Sequence, residues 1–160
     1  MSTVKPLYAS PTTITITQAG LANNAYRQST AFDNSTVRYE DGILGGSIQV
    51  GTSPTDKTTI EIFLYGTFDG TNYTAGCSGT DGAYTADGEE GLLPRAAIIY
   101  VDTTTDQDYV WGPISVKEVF GGVMPQKFGA VVLNKSGVTT NATGTNNIMK
   151  FTGYNTEIIA

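Results

Sequence analysis

Residues Thr58 to Gly70, TTIEIFLYGTFDG, constrain the fold more than any other stretch of the chain. Ile60, Ile62, Leu64 and Phe68 share one face at a period of two, and Phe63 and Tyr65 add apolar surface on the other. β-Branched and aromatic side chains suit a pleated surface, and Asp69-Gly70 is a turn signal that closes the run. A strand needing cover on both faces belongs in the middle of packed β structure, whereas one-sided alternation marks an outer sheet. The expectation is a core strand of a sandwich.

Other segments fit around it. Leu92 to Thr103 sets Ala96, Ile98 and Tyr100 against Ala97, Ile99 and Val101, which predicts a second core strand, and Phe128 to Leu133 predicts a third. Thr12 to Thr17 alternates Ile14 and Ile16 with threonines, as a half-buried strand does. Further strands are expected at 25–32, 36–40, 43–50, 108–111 and 148–159, with a loop at 33–35. Gly45 and Gly46 inside a strand mark a bulge or a close backbone approach. Residues 39–68 read as consecutive antiparallel strands. Ser115 to Phe120 is the one expected helix, with Ser115 and Glu118 at capping-box spacing and Gly121-Gly122 to end it. About eight strands with one short helix near 115–120 make an all-β chain, a jelly-roll or Greek-key β-sandwich. An immunoglobulin-type sandwich normally takes fewer residues, and the Cys…Trp…Cys signature is absent. The expected organisation is an extended N-terminal arm over 1–11, carrying Pro6 and Pro11, and a single β-sandwich domain over 12–160.

Composition excludes several functions. Histidine is absent, which removes the usual general base and the commonest metal ligand, and with it any Ser-His-Asp or Cys-His arrangement. No P-loop or dinucleotide fingerprint occurs, so no cofactor is expected and the chain reads as a non-enzyme. Nine basic against fifteen acidic residues give a net charge of −6. Nucleic-acid affinity needs cations to neutralise phosphate, so DNA and RNA are not expected partners. No apolar run reaches the length of a membrane span, and Met1-Ser-Thr-Val-Lys-Pro6 lacks the apolar core of a secretory signal. Cys77 is the single cysteine, so no disulfide forms within the chain.

The remaining candidates are surfaces. Asp102, Asp106 and Asp108 lie close in sequence and could offer Ca²⁺ hard oxygen ligands, as could Asp81, Asp87, Glu89 and Glu90, but neither set has the EF-hand pattern. Ordinary solvated turn acids are the simpler reading of both. Tyr65, Tyr73, Tyr84, Tyr100, Tyr109 and Trp111 are either core and loop anchors or a sugar-stacking platform, the latter making a glycan-binding module. Asp69 to Gly91 is long and glycine-rich, and loops of that length usually carry function. Tyr73 and Tyr84 are expected to dock it onto the body. With Lys5, Pro6, Leu7 and Tyr8 of the arm, they are the candidate partner contacts.

Several pieces of the chain form a wider pattern. They are Asp33-Asn-Ser-Thr36, Tyr65-Gly-Thr-Phe-Asp-Gly70 with Asn72-Tyr-Thr74, Gly112-Pro-Ile-Ser115, Phe120-Gly-Gly-Val-Met-Pro125 with Lys127-Phe-Gly129, and a last strand with Lys150 and Gly153. Together they resemble small virion structural proteins of tailed bacteriophages, a group that includes jelly-roll capsid decoration (cement) proteins and head-fibre and tail components. The resemblance implies a protein made in the host cytoplasm that binds the major capsid protein on the outer surface of the virion, often as a homotrimer. It supplies no functional residues. The alternative that the residues leave open is a glycan-binding β-sandwich of a fibre or receptor-binding component.

Overall fold

A computed structural model describes residues 3–143 and 145–159. The chain folds as β1 (Thr3–Tyr8), β2 (Thr12–Thr13), β3 (Tyr26–Gln28), β4 (Phe32–Asp33), α1 (Asn34–Val37), β5 (Asp41–Gln49), β6 (Thr58–Gly66), β7 (Gly82–Tyr84), β8 (Arg95–Val101), β9 (Asp108–Ser115), α2 (Val116–Val119), β10 (Lys127–Lys135) and β11 (Ile148–Ile159). One sheet runs β1-β11-β5-β9, with β2 also on β11; the other runs β7-β3-β10-β6-β8, with β4 also on β10. All these pairings are antiparallel. The order β1-β11-β5-β9 facing β3-β10-β6-β8 is that of a jelly roll, an all-β sandwich in which the chain alternates between sheets.

β6 sits in the second sheet between β10 and β8, covered on both faces. Ile60, Ile62 and Leu64 are fully buried in the main core, with Leu44, Ile48, Trp111, Phe128, Val132 and Phe151. Full burial of each such aliphatic side chain stabilises by about 1.5–3 kcal/mol. On the other face Tyr65 joins Val131, Cys77, Tyr84 and Leu93 in a second core beneath the 69–91 loop. Phe68 departs from the expected alternation. The strand ends at Gly66, and Phe68 is 87% exposed in the turn beyond it.

Other expectations shift in the same concrete way. β8 is an edge strand rather than a central one; Ile99 and Val101 face the core, and Tyr100 is exposed. β5 and β6 lie in different sheets, so residues 39–68 are not neighbouring strands. Residues 12–17 keep the alternation, with Ile14 and Ile16 buried, but only Thr12–Thr13 pairs as a strand because the segment crosses between sheets. Thr30 N then bonds Thr15 O in place of a ladder. Residues 34–37 form α1 where a loop and a strand were expected; Asp33 caps it, and Arg38 closes it in the left-handed region at φ 55°. β9 does not stop at Trp111 but runs through Gly112-Pro113 to Ser115. The capping at Ser115, whose hydroxyl accepts from Glu118 N, is as expected for α2. So is the bulge at Gly45 and Gly46, where a side chain on Gly46 would strike the carbonyl of Ile148. The N-terminal arm forms β1, paired with the end of β11.

Candidate functional site

The strand registers give the sandwich two unlike ends. β6, β9 and β11 end, and β5 and β10 begin, at a helical pole that carries α1 and α2. Loops 51–57, 102–107 and 136–143 with 145–147 make the opposite pole.

Local hydrogen bonds build the helical pole. Buried Asp41 accepts from Ser115 Oγ at 2.6 Å and from Lys117 N at 2.9 Å, which ties α2 to the start of β5. Asn34 Nδ2 donates to Tyr39 O while Asn34 Oδ1 accepts from Tyr39 N, which fixes the chain after α1. Ser35 donates its hydroxyl and its amide to Asp33, and these bonds hold the Asp33 carboxyl below its usual range. The Asp69 carboxylate accepts from Asn72 and Thr71, which tightens the turn beside Phe68 and holds that carboxyl low as well. Phe68 and Phe120 then wall an apolar cleft of about 190 Å³ with Gly66, Thr67 and Pro125. Val123, 70% exposed, stands beside it.

A ribbon extends from the same pole. β5 begins opposite Tyr154, so residues 155–159 pair only with β1. Glu40 is the last tie, its amide donating to Tyr154 O and its carboxylate accepting from Thr156 Oγ1. Val4, Leu7 and Ile158 are exposed on the ribbon. An isolated two-stranded ribbon is marginally stable in water, so this one gains from being covered.

The candidate partner contacts divide between two places. Lys5, Pro6, Leu7 and Tyr8 are all exposed on β1, where Lys5 faces Glu157 across the ladder and the rings of Tyr8 and Tyr154 stand 5.5 Å apart. Tyr73 is half-buried, its ring edge-on to Tyr65 at 5.5 Å. Tyr84 is buried and its hydroxyl donates to Ala75 O at 2.9 Å. Both tyrosines hold the 69–91 loop to the body. The aromatics do not form one platform: Tyr65 and Trp111 belong to two different cores, and Tyr100 lies on an edge strand.

The acids are occupied separately. Asp102 accepts from Thr104 N and Tyr109 Oη, Asp106 from Asn141 Nδ2, and Asp108 from Asn146 Nδ2. Asp81 accepts from Arg27 Nε at 2.7 Å and from Thr17. Among the described residues, no three acids, cysteines or histidines converge as a metal site, and no helix is long and apolar enough to cross a membrane.

The contributors to the pole that were missed in the sequence are Phe68, Val123 and Ile158. For Phe68 the signal was present, since Gly66 and the Asp69-Gly70 turn bracket it too closely for a strand to continue. No family model, curated protein or solved structure matches the chain.

Proposed function

We propose that this chain is a non-enzymatic structural virion protein, a decoration protein that binds the outer surface of a capsid and stabilises it as a homo-oligomer. One observation carries the reading: Val4, Leu7, Phe68, Val123 and Ile158 are all exposed at or beyond one pole. The opposite pole presents Asp56, Asp102 and Asp106 among threonines and asparagines. A subunit that attaches by one end and meets water at the other needs this division. Apolar patches of a few hundred Å² mark interaction surfaces, and a standard interface buries about 1,600 Å² in total. Repetition over a capsid lattice multiplies a modest contact by avidity. The sequence resemblance to phage cement proteins supplies the identity of the partner, the major capsid protein.

The test is co-sedimentation with capsids from the same source. Wild-type protein pellets with the particles, and Phe68→Asp with Val123→Asp abolishes pelleting while leaving the thermal midpoint near wild type. Wild-type protein that stays in the supernatant at tens of micromolar overturns the proposal.

A further inference from the structure

The two sheets differ on their outer faces. The second sheet is covered by the 69–91 loop, which buries Tyr65 and Val131. Among the described residues, no loop covers the outer face of the first sheet in this way. Val110 is 84% exposed on β9, and Tyr8, Val4, Ile148 and Ile158 are exposed on β1 and β11. Between β5 and β9 a trough of about 370 Å³ runs over Gly45 and Gly112, walled by Pro11, Ile43, Pro113 and Lys150. The glycines make the trough, and Val110 rises beside it. The face carries a knob and a hole.

We infer that this face packs against the same face of a second copy of the chain, in a two-fold contact that shares Val4 and Ile158 with the capsid contact proposed above but does not use its Phe68–Val123 cleft. Area is the first argument. β11, β5, β9 and β1 have 12, 9, 8 and 6 residues. At about 3.4 Å per residue and about 4.8 Å per strand they present roughly 600 Å² in projection. Side-chain relief raises this toward the roughly 800 Å² that each partner contributes to a standard interface.

Charge is the second. The chain carries net charge −6, so two copies approach best through a face that is nearly neutral. The exposed charges that β11, β5 and β9 carry on this face are Lys150 on β11 and Asp108 on β9, one of each sign. Asp41, on the same face, is buried and bonded to Ser115 and Lys117. A two-fold axis lying in the face, on the perpendicular bisector of the line joining Lys150 and Asp108, sets Lys150 of each copy over Asp108 of the other.

Shape is the third, and it was not used to choose that axis. Lys150 is level with Gly45, Val110 with Ser47 and Asp108 with Gln49. On the ideal sheet lattice the same rotation brings Val110 of each copy to within roughly 3 Å of the point above Gly45 of the other. The knob enters the hole. An isologous contact closes at two copies, so this face makes dimers where the sequence resemblance implies a trimer.

Sedimentation equilibrium on the full chain, without capsids, tests it. Wild type is a dimer. Val110→Asp, at a site too exposed to affect folding, weakens dimerisation by about 100-fold, the scale of a buried unpaired charge at an interface. Lys150→Glu weakens it by about tenfold, and adding Asp108→Lys restores it to within about threefold, because the pair is re-formed with its signs exchanged. Phe68→Asp leaves the dimer intact. A monomeric wild type, a trimer, a dimer indifferent to Val110→Asp, or a double charge swap no better than its parent would each overturn the inference.

Discussion

Gly129 and Tyr65 are cross-strand partners in the second sheet, and the tyrosine ring lies over the glycine where a side chain would otherwise stand. Tyr65 is fully buried and cannot swing aside, because Val131, Tyr84 and the ring of Tyr73 surround it. Gly129→Ala therefore forces a methyl group into an aromatic ring. Overpacking of this kind costs about 1–3 kcal/mol, or a fall of roughly 2–10 °C in Tm for a chain of this size. Calorimetry of the two proteins reads it directly, and an unchanged midpoint would mean that the ring is free to move.

The same tyrosine reaches across β10 with its hydroxyl, which donates to Ser29 O at 2.6 Å in a buried setting. Burial, partly offset by that bond, pushes the phenol pKa above its ordinary value. Tyr65→Phe keeps the packing and leaves a buried carbonyl short of a donor, at a cost of about 1–3 kcal/mol. Urea unfolding should show a lower midpoint with the slope unchanged. Equal midpoints would show that another donor replaces the hydroxyl.

These contacts show which parts of the fold were legible. Period-two alternation placed β6, β10 and β11 because each is long and its buried face is read locally. It could not say that β8 lies at an edge, since Ile98 and Tyr100 are as apolar as core residues and only the sheet order leaves Ile98 half-buried and Tyr100 exposed. α1 was missed because one turn of helix has no periodicity. Its cap, Asp33 with Ser35, was in plain view but reads equally as a loop. The site was half visible. Lys5 to Tyr8 were recognisable as an arm, whereas their strand partner at 154–159 is almost 150 residues away in sequence, and no short-range pattern reports such a pairing. The binding pole depends on where strands stop, and stopping points are set by turns more than by alternation.

Asp81 ties the 69–91 loop to β3 through Arg27 and to the crossing segment through Thr17. Partial burial disfavours its charge, but the hydrogen bonds from Arg27 and Thr17 outweigh that cost and hold the carboxyl below its usual range. Because the folded value lies below the unfolded value of about 3.9, the bond contributes stability above about pH 4. That contribution fades as the pH falls through the folded value. Asp81→Asn should be less stable than wild type at pH 7, with a gap that narrows by pH 3. A gap of constant size at both pH values would remove the charge from the account.

Cys77 lies under the same loop, and its thiol reports whether the loop opens. Burial, with a smaller contribution from the nearby Glu89 carboxylate, pushes the thiol up to about 12. At pH 8 a thiol of that kind is ionised to roughly one part in ten thousand, and the thiolate is the species that reacts. A disulfide reagent should therefore label the native protein slowly, by way of loop opening, and label the urea-unfolded protein at once. The loop is held in part by the Tyr84 hydroxyl, which donates to Ala75 O two residues before Cys77. Tyr84→Phe removes that bond, and a net loss of about 1 kcal/mol makes opening roughly fivefold more frequent. Labelling should accelerate by that factor. Tyr65→Phe, which frees Ser29 O rather than a loop atom, should accelerate it less. Native labelling as fast as unfolded labelling would mean that reagent reaches Cys77 without any opening, and the second core would then not be closed as described.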